Sequence, residues 1–178
     1  MEKFLNIPVY PLVTNGGPLT SITPTGGAEF EVTSGTFIAD VSIGDIVHNG
    51  TDDEFYLVAA IASNTQLDLT PLEGAAASIP AAKQVYIHSG TVNNKQLVSI
   101  MDIALIEQTT ASTCDIHLDT GSTAADLITI THTPVATGSE AVRDLVQTAV
   151  TEAYTSSWTN VSHDLLTLPN KVIAINLY

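Results

Sequence analysis

The chain has 178 residues and a mass of 18.7 kDa, enough for one compact domain or two small ones and for a core that needs no disulfide staples. Asp and Glu number 19 against 5 Lys and Arg, a formal net charge of -14. The five cations, Lys3, Lys83, Lys95, Arg143 and Lys171, are scattered, which argues against nucleic-acid binding by phosphate neutralisation and against anionic membranes. No apolar run approaches the ~20 residues of a membrane span.

The N-terminal stretch Met1 to Val9 lacks the long apolar segment and small-residue cleavage site of a secretory signal, so the chain is expected to act inside a cell or to leave it by lysis. A single cysteine, Cys114, excludes an internal disulfide and a multi-cysteine zinc knuckle. The 24 Thr and 13 Ser suit sheets better than helices, because β-branched side chains fit a pleated surface.

In chain order, Phe4 to Val9 predicts a short strand, with Pro8 suiting an edge or a strand end. Turn signals then crowd together at Asn15-Gly16-Gly17-Pro18 and Pro24-Thr25-Gly26-Gly27, around a short piece from Leu19 to Ile22. Short runs follow at Ala28 to Thr33, Thr36 to Ala39, Asp45 to His48, Glu54 to Ala62, Gln66 to Leu69 and Gln84 to His88. Their spacing predicts a small barrel or sandwich. Past the polar joint Ser89 to Asn94, strands are predicted at Gln96 to Ile100, Ala104 to Thr109, Thr113 to Leu118 and Leu127 to His132, with a hairpin turn over Asp119 to Ser122.

The period then changes from 2 to 3.6. Val142, Leu145, Val146, Ala149, Val150, Ala153 and Tyr154 line one face of a helix from Ser139 to about Ser156, with Ser139 as N-cap and Leu145 and Val146 expected among its most buried residues. After Pro169-Asn170, Val172 to Leu177 predicts a closing strand. The expected fold is mainly β with one C-terminal amphipathic helix, an α+β chain. A small β-barrel or sandwich module at 10–92 is inserted between the N-terminal strand at 1–9 and the sheet-plus-helix unit at 93–178 that this strand pairs with.

Few residues suggest chemistry. Asp115, His117 and Asp119 alternate along one predicted strand and share a face, a spacing that suits a divalent metal but equally a solvated polar face opposite Cys114, Ile116 and Leu118. The polar face is the expectation, with no metal and no cofactor. Asp52-Asp53-Glu54 lacks the alternating ligands of a calcium loop and is expected to be an acidic turn. Cys114, even beside His117 or His132, is expected to be a core residue, because no positive field surrounds it. His48, His88 and His163 have no triad partner in sequence. Gly16-Gly17 and Gly26-Gly27 lack the lysine and the strand-to-helix context of a phosphate loop, and Trp158 is expected to cap the core.

Two stretches carry a resemblance. Val41-Ser42-Ile43-Gly44-Asp45-Ile46-Val47-His48-Asn49, then Val58 to Ile61, Ser63 to Leu69 and Val85-Tyr86-Ile87, resemble a small β-module found in structural proteins of tailed bacteriophages. Asp52-Asp53-Glu54-Phe55 departs from the small neutral turn usual there. Met1 to Val9 with Gln96 to Val161, including Ile128 to His132 and Ser157 to Val161, are similar to short virion-associated proteins of marine and cyanobacterial phages. The resemblance implies a non-enzymatic virion structural protein, first a capsid decoration or cement protein on the outside of a tailed-phage head. It would self-assemble or bind the major capsid protein, after assembly in the host cytoplasm. The alternatives are a phage tail or appendage subunit, or a non-viral filament or adhesin subunit. A charge of -14 fits an outward position and not a DNA-facing one.

Overall fold

The first strand, β1 (Phe4–Val9), alternates as its sequence requires: Leu5 and Ile7 are fully buried, while Phe4, Asn6 and Pro8 turn to the opposite face. A computed structural model describes the chain over residues 2–27, 29–92, 94–119, 126–157, 160–165 and 170–178. The architecture is α+β: a closed six-stranded antiparallel barrel inserted among two smaller sheets, with one C-terminal helix. One unit comprises Tyr10–Thr91, the other Met1–Val9 with Val92–Tyr178.

The Tyr10–Thr91 unit contains β2 (Leu19–Ile22), β3 (Phe30–Val32), α1 (Phe37–Asp40), β4 (Ile46–Asn49), β5 (Glu54–Ile61), β6 (Gln66–Pro71) and β7 (Gln84–His88). Its strands close in the order β2-β3-β6-β5-β4-β7. Alternation fills the interior: Val47, Tyr56, Val58, Leu67, Leu69, Val85 and Ile87 point inward from four strands. The predicted strand over Thr36 to Ala39 is instead the single helical turn α1. Its two large apolar residues, Phe37 and Ile38, are consecutive and cannot both face one side of a strand. The turn buries Phe37 against Phe30 at 5.8 Å and leaves Ile38 exposed.

Asp45 shows how the barrel uses a carboxylate. It is buried, and it accepts N–H bonds from Ser42 (2.8 Å) and Gly90 (2.6 Å), so it ties the turn before β4 to the end of the unit. Gly90 must be glycine, because a Cβ there would lie 2.5 Å from the Gly44 carbonyl oxygen. The ends of the unit also meet, through Ser89 N–H to the Pro11 carbonyl (2.8 Å) and Val13 N–H to that of Ile87 (3.0 Å).

The other unit adds β8 (Asn94–Ser99), β9 (Ile103–Gln108), β10 (Thr113–Leu118), β11 (Asp126–His132), α2 (Ala141–Thr155), β12 (Ser162–Asp164) and β13 (Val172–Leu177) to β1. They form a three-stranded sheet, β12-β1-β8, and a four-stranded antiparallel sheet, β13-β11-β10-β9. One core unites both sheets with α2 through Leu5, Ile7, Val98, Ile116, Ile130 and Val146. β1 is therefore an inner strand, not a free edge. Pro8 is tolerated because β12 pairs only with Phe4 to Asn6 and stops short of it.

Helix α2 starts later than its sequence suggests. Glu140 occupies the N-cap without a side-chain cap bond, and the Ser139 hydroxyl accepts the Ala141 N–H at 3.3 Å. The other end lacks a basic residue of its own. Lys3, next to β1, fills that role: its ammonium donates to the carbonyl oxygens of Ala153 and Ser156, the latter at 3.0 Å. Val142 and Val146 are fully buried, whereas Leu145 is only half-buried and Tyr154 is exposed, its hydroxyl donating to the Ile100 carbonyl. Leu145 lines an open groove between α2 and the short β12, a strand its sequence did not announce, so its side of the helix is incompletely covered. Trp158, most of the hairpin turn over Asp119 to Ser122, and Pro169 lie outside the described residues. No helix is long and apolar enough to cross a membrane among the described residues.

These burials set an order of mutational cost. Val146→Ala should lower unfolding free energy by about 2 kcal/mol and Leu145→Ala by about 1 kcal/mol, the reverse of their side-chain sizes, because only the first leaves a closed cavity. Urea unfolding of the two variants checks this, and a larger loss for Leu145→Ala would contradict it.

Candidate functional site

The register of the four-stranded sheet defines its outward face. Cys114, Ile116, Ile128 and Ile130 alternate inward, so the residues between them face out. Pairing sets Leu105, His117, Leu127 and Tyr178 in one row across β9, β10, β11 and the end of β13. The next row is Glu107, Asp115, Thr129 and Asn176, and beyond it lie Thr113, Thr131 and Ala174. Leu105 is 51% exposed and Tyr178 71%.

Asp115 and His117 therefore do share a face, as their spacing predicts. Asp119 lies past the end of β10, with its N–H on the Asp102 carbonyl at 2.6 Å. The partner of His117 is Glu107, on the neighbouring strand, at 2.9 Å between Nε2 and Oε1. Sequence spacing could not identify this pair, since it depends on the register of β9 against β10. Among the described residues no three His, Cys, Asp or Glu side chains are arranged to hold a metal ion. One atom stands out: Oδ1 of Asp115 is buried and accepts no hydrogen bond.

Cys114 is fully buried, and burial, reinforced by Asp115, pushes its thiol up to about 12. It points away from His117 across the sheet. His132 is also buried, with Nδ1 2.8 Å from the Thr133 carbonyl oxygen and Nε2 2.9 Å from the Gln108 amide nitrogen. That pattern fits a neutral ring donating from Nδ1 and accepting at Nε2.

The remaining histidines find partners on neighbouring segments or across a single turn. His163 pairs with Glu152 at 3.1 Å. His48 stacks on Phe55 (ring centroids 4.4 Å, 13° between planes) and lies 3.1 Å from Asp53, and burial lowers its pKa against the opposing pull of that carboxylate. His88 is buried with Nδ1 3.0 Å from the Tyr10 carbonyl oxygen, and burial pushes its imidazole down to about 4.

The acidic turn Asp52-Asp53-Glu54 is internally satisfied. Asn49 donates to Asp52 (2.9 Å) and Glu54 (3.1 Å), the buried Tyr56 hydroxyl donates to Glu54 (2.9 Å), and Lys83 meets Asp52 at 2.8 Å. This network holds the β4 to β5 turn, so it is structural. Gly17, Gly26 and Gly27 adopt positive φ in turns. No family model matches the chain, and comparison with the curated proteins and with the solved structures gives no match.

Two outcomes follow from these environments. A neutral His88 in the folded state means that the unfolded chain takes up the proton first, at its ordinary value of 6.5. The stability it contributes is full above pH 6.5 and drains as the pH falls towards 4, by about 3 kcal/mol, with His48 acting in the same direction. Urea unfolding followed through barrel amide signals should show this decline, and His88→Gln should flatten it. The Cys114 thiol should react with a disulfide reagent only in denaturant; rapid labelling of the folded chain would contradict its burial.

Proposed function

We propose that this chain is a structural protein of a virus particle, most specifically a decoration protein on the outside of a tailed-phage capsid, and that it works by association without catalysis. The carrying observation is where the phage-like residues fall. Ile46 to Asn49, Val58 to Ile61, Gln66 to Leu69 and Val85 to Ile87 are β4 to β7 of one closed barrel, and the Gly44-Asp45 turn is its buried carboxylate staple. The resemblance thus follows a folding unit and not scattered likeness, which supports a module reused for assembly.

Two further observations support the reading. The described histidines and buried acids are mostly engaged in structural pairs and do not converge on a cleft. The charge of -14 suits the outer surface of a particle better than a surface facing packaged DNA. The partners would be the major capsid protein or further copies of this chain. An edge strand is where a partner strand would add, and β13 borders its sheet, hydrogen-bonded to β11, while β1 is enclosed by β8 and β12.

Antibody labelling and cryo-electron microscopy of intact particles from lysates that contain the chain test the proposal. Regular density on the outer shell is expected. Finding the chain only inside the shell, or never on particles, would refute it, and a position along the tail would favour an appendage subunit.

A further inference from the structure

The outward face of the four-stranded sheet has a composition that asks for something the chain does not supply. Its first row offers Leu105, Leu127 and Tyr178 around the imidazole of His117, and its second row places Glu107 directly opposite Asp115. Two facing carboxylates on neighbouring strands repel unless a cation lies close. None of the five Lys and Arg belongs to β9, β10, β11 or β13. His117 answers Glu107 at 2.9 Å, but Oδ1 of Asp115 is left without a donor. Asp45, the acid that is buried among the described residues, accepts two N–H bonds, whereas Oδ1 of Asp115 accepts none.

We propose that this face docks a cationic segment of a partner protein, which lays apolar side chains along the row of Leu105, His117, Leu127 and Tyr178 and sets a lysine or arginine against Glu107 and Asp115. Charge complementarity selects that occupant. A second copy of this chain would bring another -14 and a matching pair of carboxylates to the same surface. The apolar row gives contact area, and the carboxylate row gives register and excludes acidic partners. Asp115 as a whole is half-buried, so a donor moving along the face reaches its carboxylate after a small side-chain rotation. The inference rests on the sheet alone: it applies to a capsid subunit and equally to any other basic protein surface, and a failure of the virion reading leaves it standing.

The test uses the full chain, labelled with nitrogen-15, and a blocked hexapeptide of alternating Leu and Arg as probe, with the Leu and Glu counterpart as control. Amide shifts confined to β9, β10, β11 and the end of β13 are expected with the Arg peptide and none with the Glu peptide. Glu107→Gln combined with Asp115→Asn should weaken binding about tenfold, as should Leu105→Ser combined with Tyr178→Ser. The isosteric amides preserve the fold, and Glu31→Gln with Asp68→Asn in the barrel should leave binding unchanged. Shifts spread over the barrel acids, or binding indifferent to both double variants, would overturn the proposal. So would a dimer of the free chain in sedimentation that the Leu105 and Tyr178 changes dissolve, because a second copy would then be the occupant.

Discussion

Leu5 and Ile7 belong to the core of the sheet-and-helix unit, yet everything else in that core follows the barrel in sequence. Neither the three-stranded sheet nor the basic cap on α2 can form until β1 meets β8 and β12, because Lys3 and β1 come from the same short segment. Closing so long a loop through a disordered chain carries an entropic cost. The barrel reduces it. Its own ends are joined through Pro11 to Ser89 and Val13 to Ile87, so once folded it delivers the chain on either side as near neighbours. Val9 and Asn94, close beyond those ends in sequence, are opposite each other in the β1 to β8 ladder.

A chain with 19 acids and five cations must stabilise most carboxylates without ion pairs. It does so with neutral donors. Glu31 takes the Thr25 N–H and hydroxyl, Asp40 takes Asn15 and Thr36, Asp45 takes two backbone amides, and Glu54 takes Asn49, Tyr56 and the Ala76 N–H. These bonds hold the carboxyl groups of Glu31 and Asp40 below their ordinary values, with the hydroxyl donors leading. Several also tie a turn to a distant segment, so acidity serves the fold as well as the surface. The outward face of the four-stranded sheet departs from this habit, and that departure is what distinguishes it from the rest of the molecule.

The hydroxyl-rich composition has a similar double use. On α2, Thr148, Thr151 and Thr155 bond back to the carbonyls of Asp144, Gln147 and Thr151, which satisfies the hydroxyls within the helix. On β10 and its approach, Thr109, Thr110 and Thr113 bond to one another at 2.6 to 2.9 Å. Threonine here makes a surface whose polar groups are engaged with one another.

Local pattern determined a good deal of this protein. Alternation in Phe4 to Ile7, Gln66 to Leu69 and Thr113 to Leu118 is enough to specify a strand and its buried side, because the period of 2 is a property of the backbone. The 3.6 period from Val142 to Ala153 specified α2 for the same reason. Sequence also placed Asp115 and His117 on one outward face. Tertiary structure alone decided the rest. Phe37 and Ile38 carry no period, so their helical turn depends on the packing of Phe37 against Phe30 in the barrel core. Ser162 to Asp164 is a strand only because β1 lies beside it, and the exposure of Leu145 follows from how short that strand is. The pairing of His117 with Glu107 and of Lys3 with the end of α2 joins residues whose nearness is set by register and packing, which no local pattern encodes.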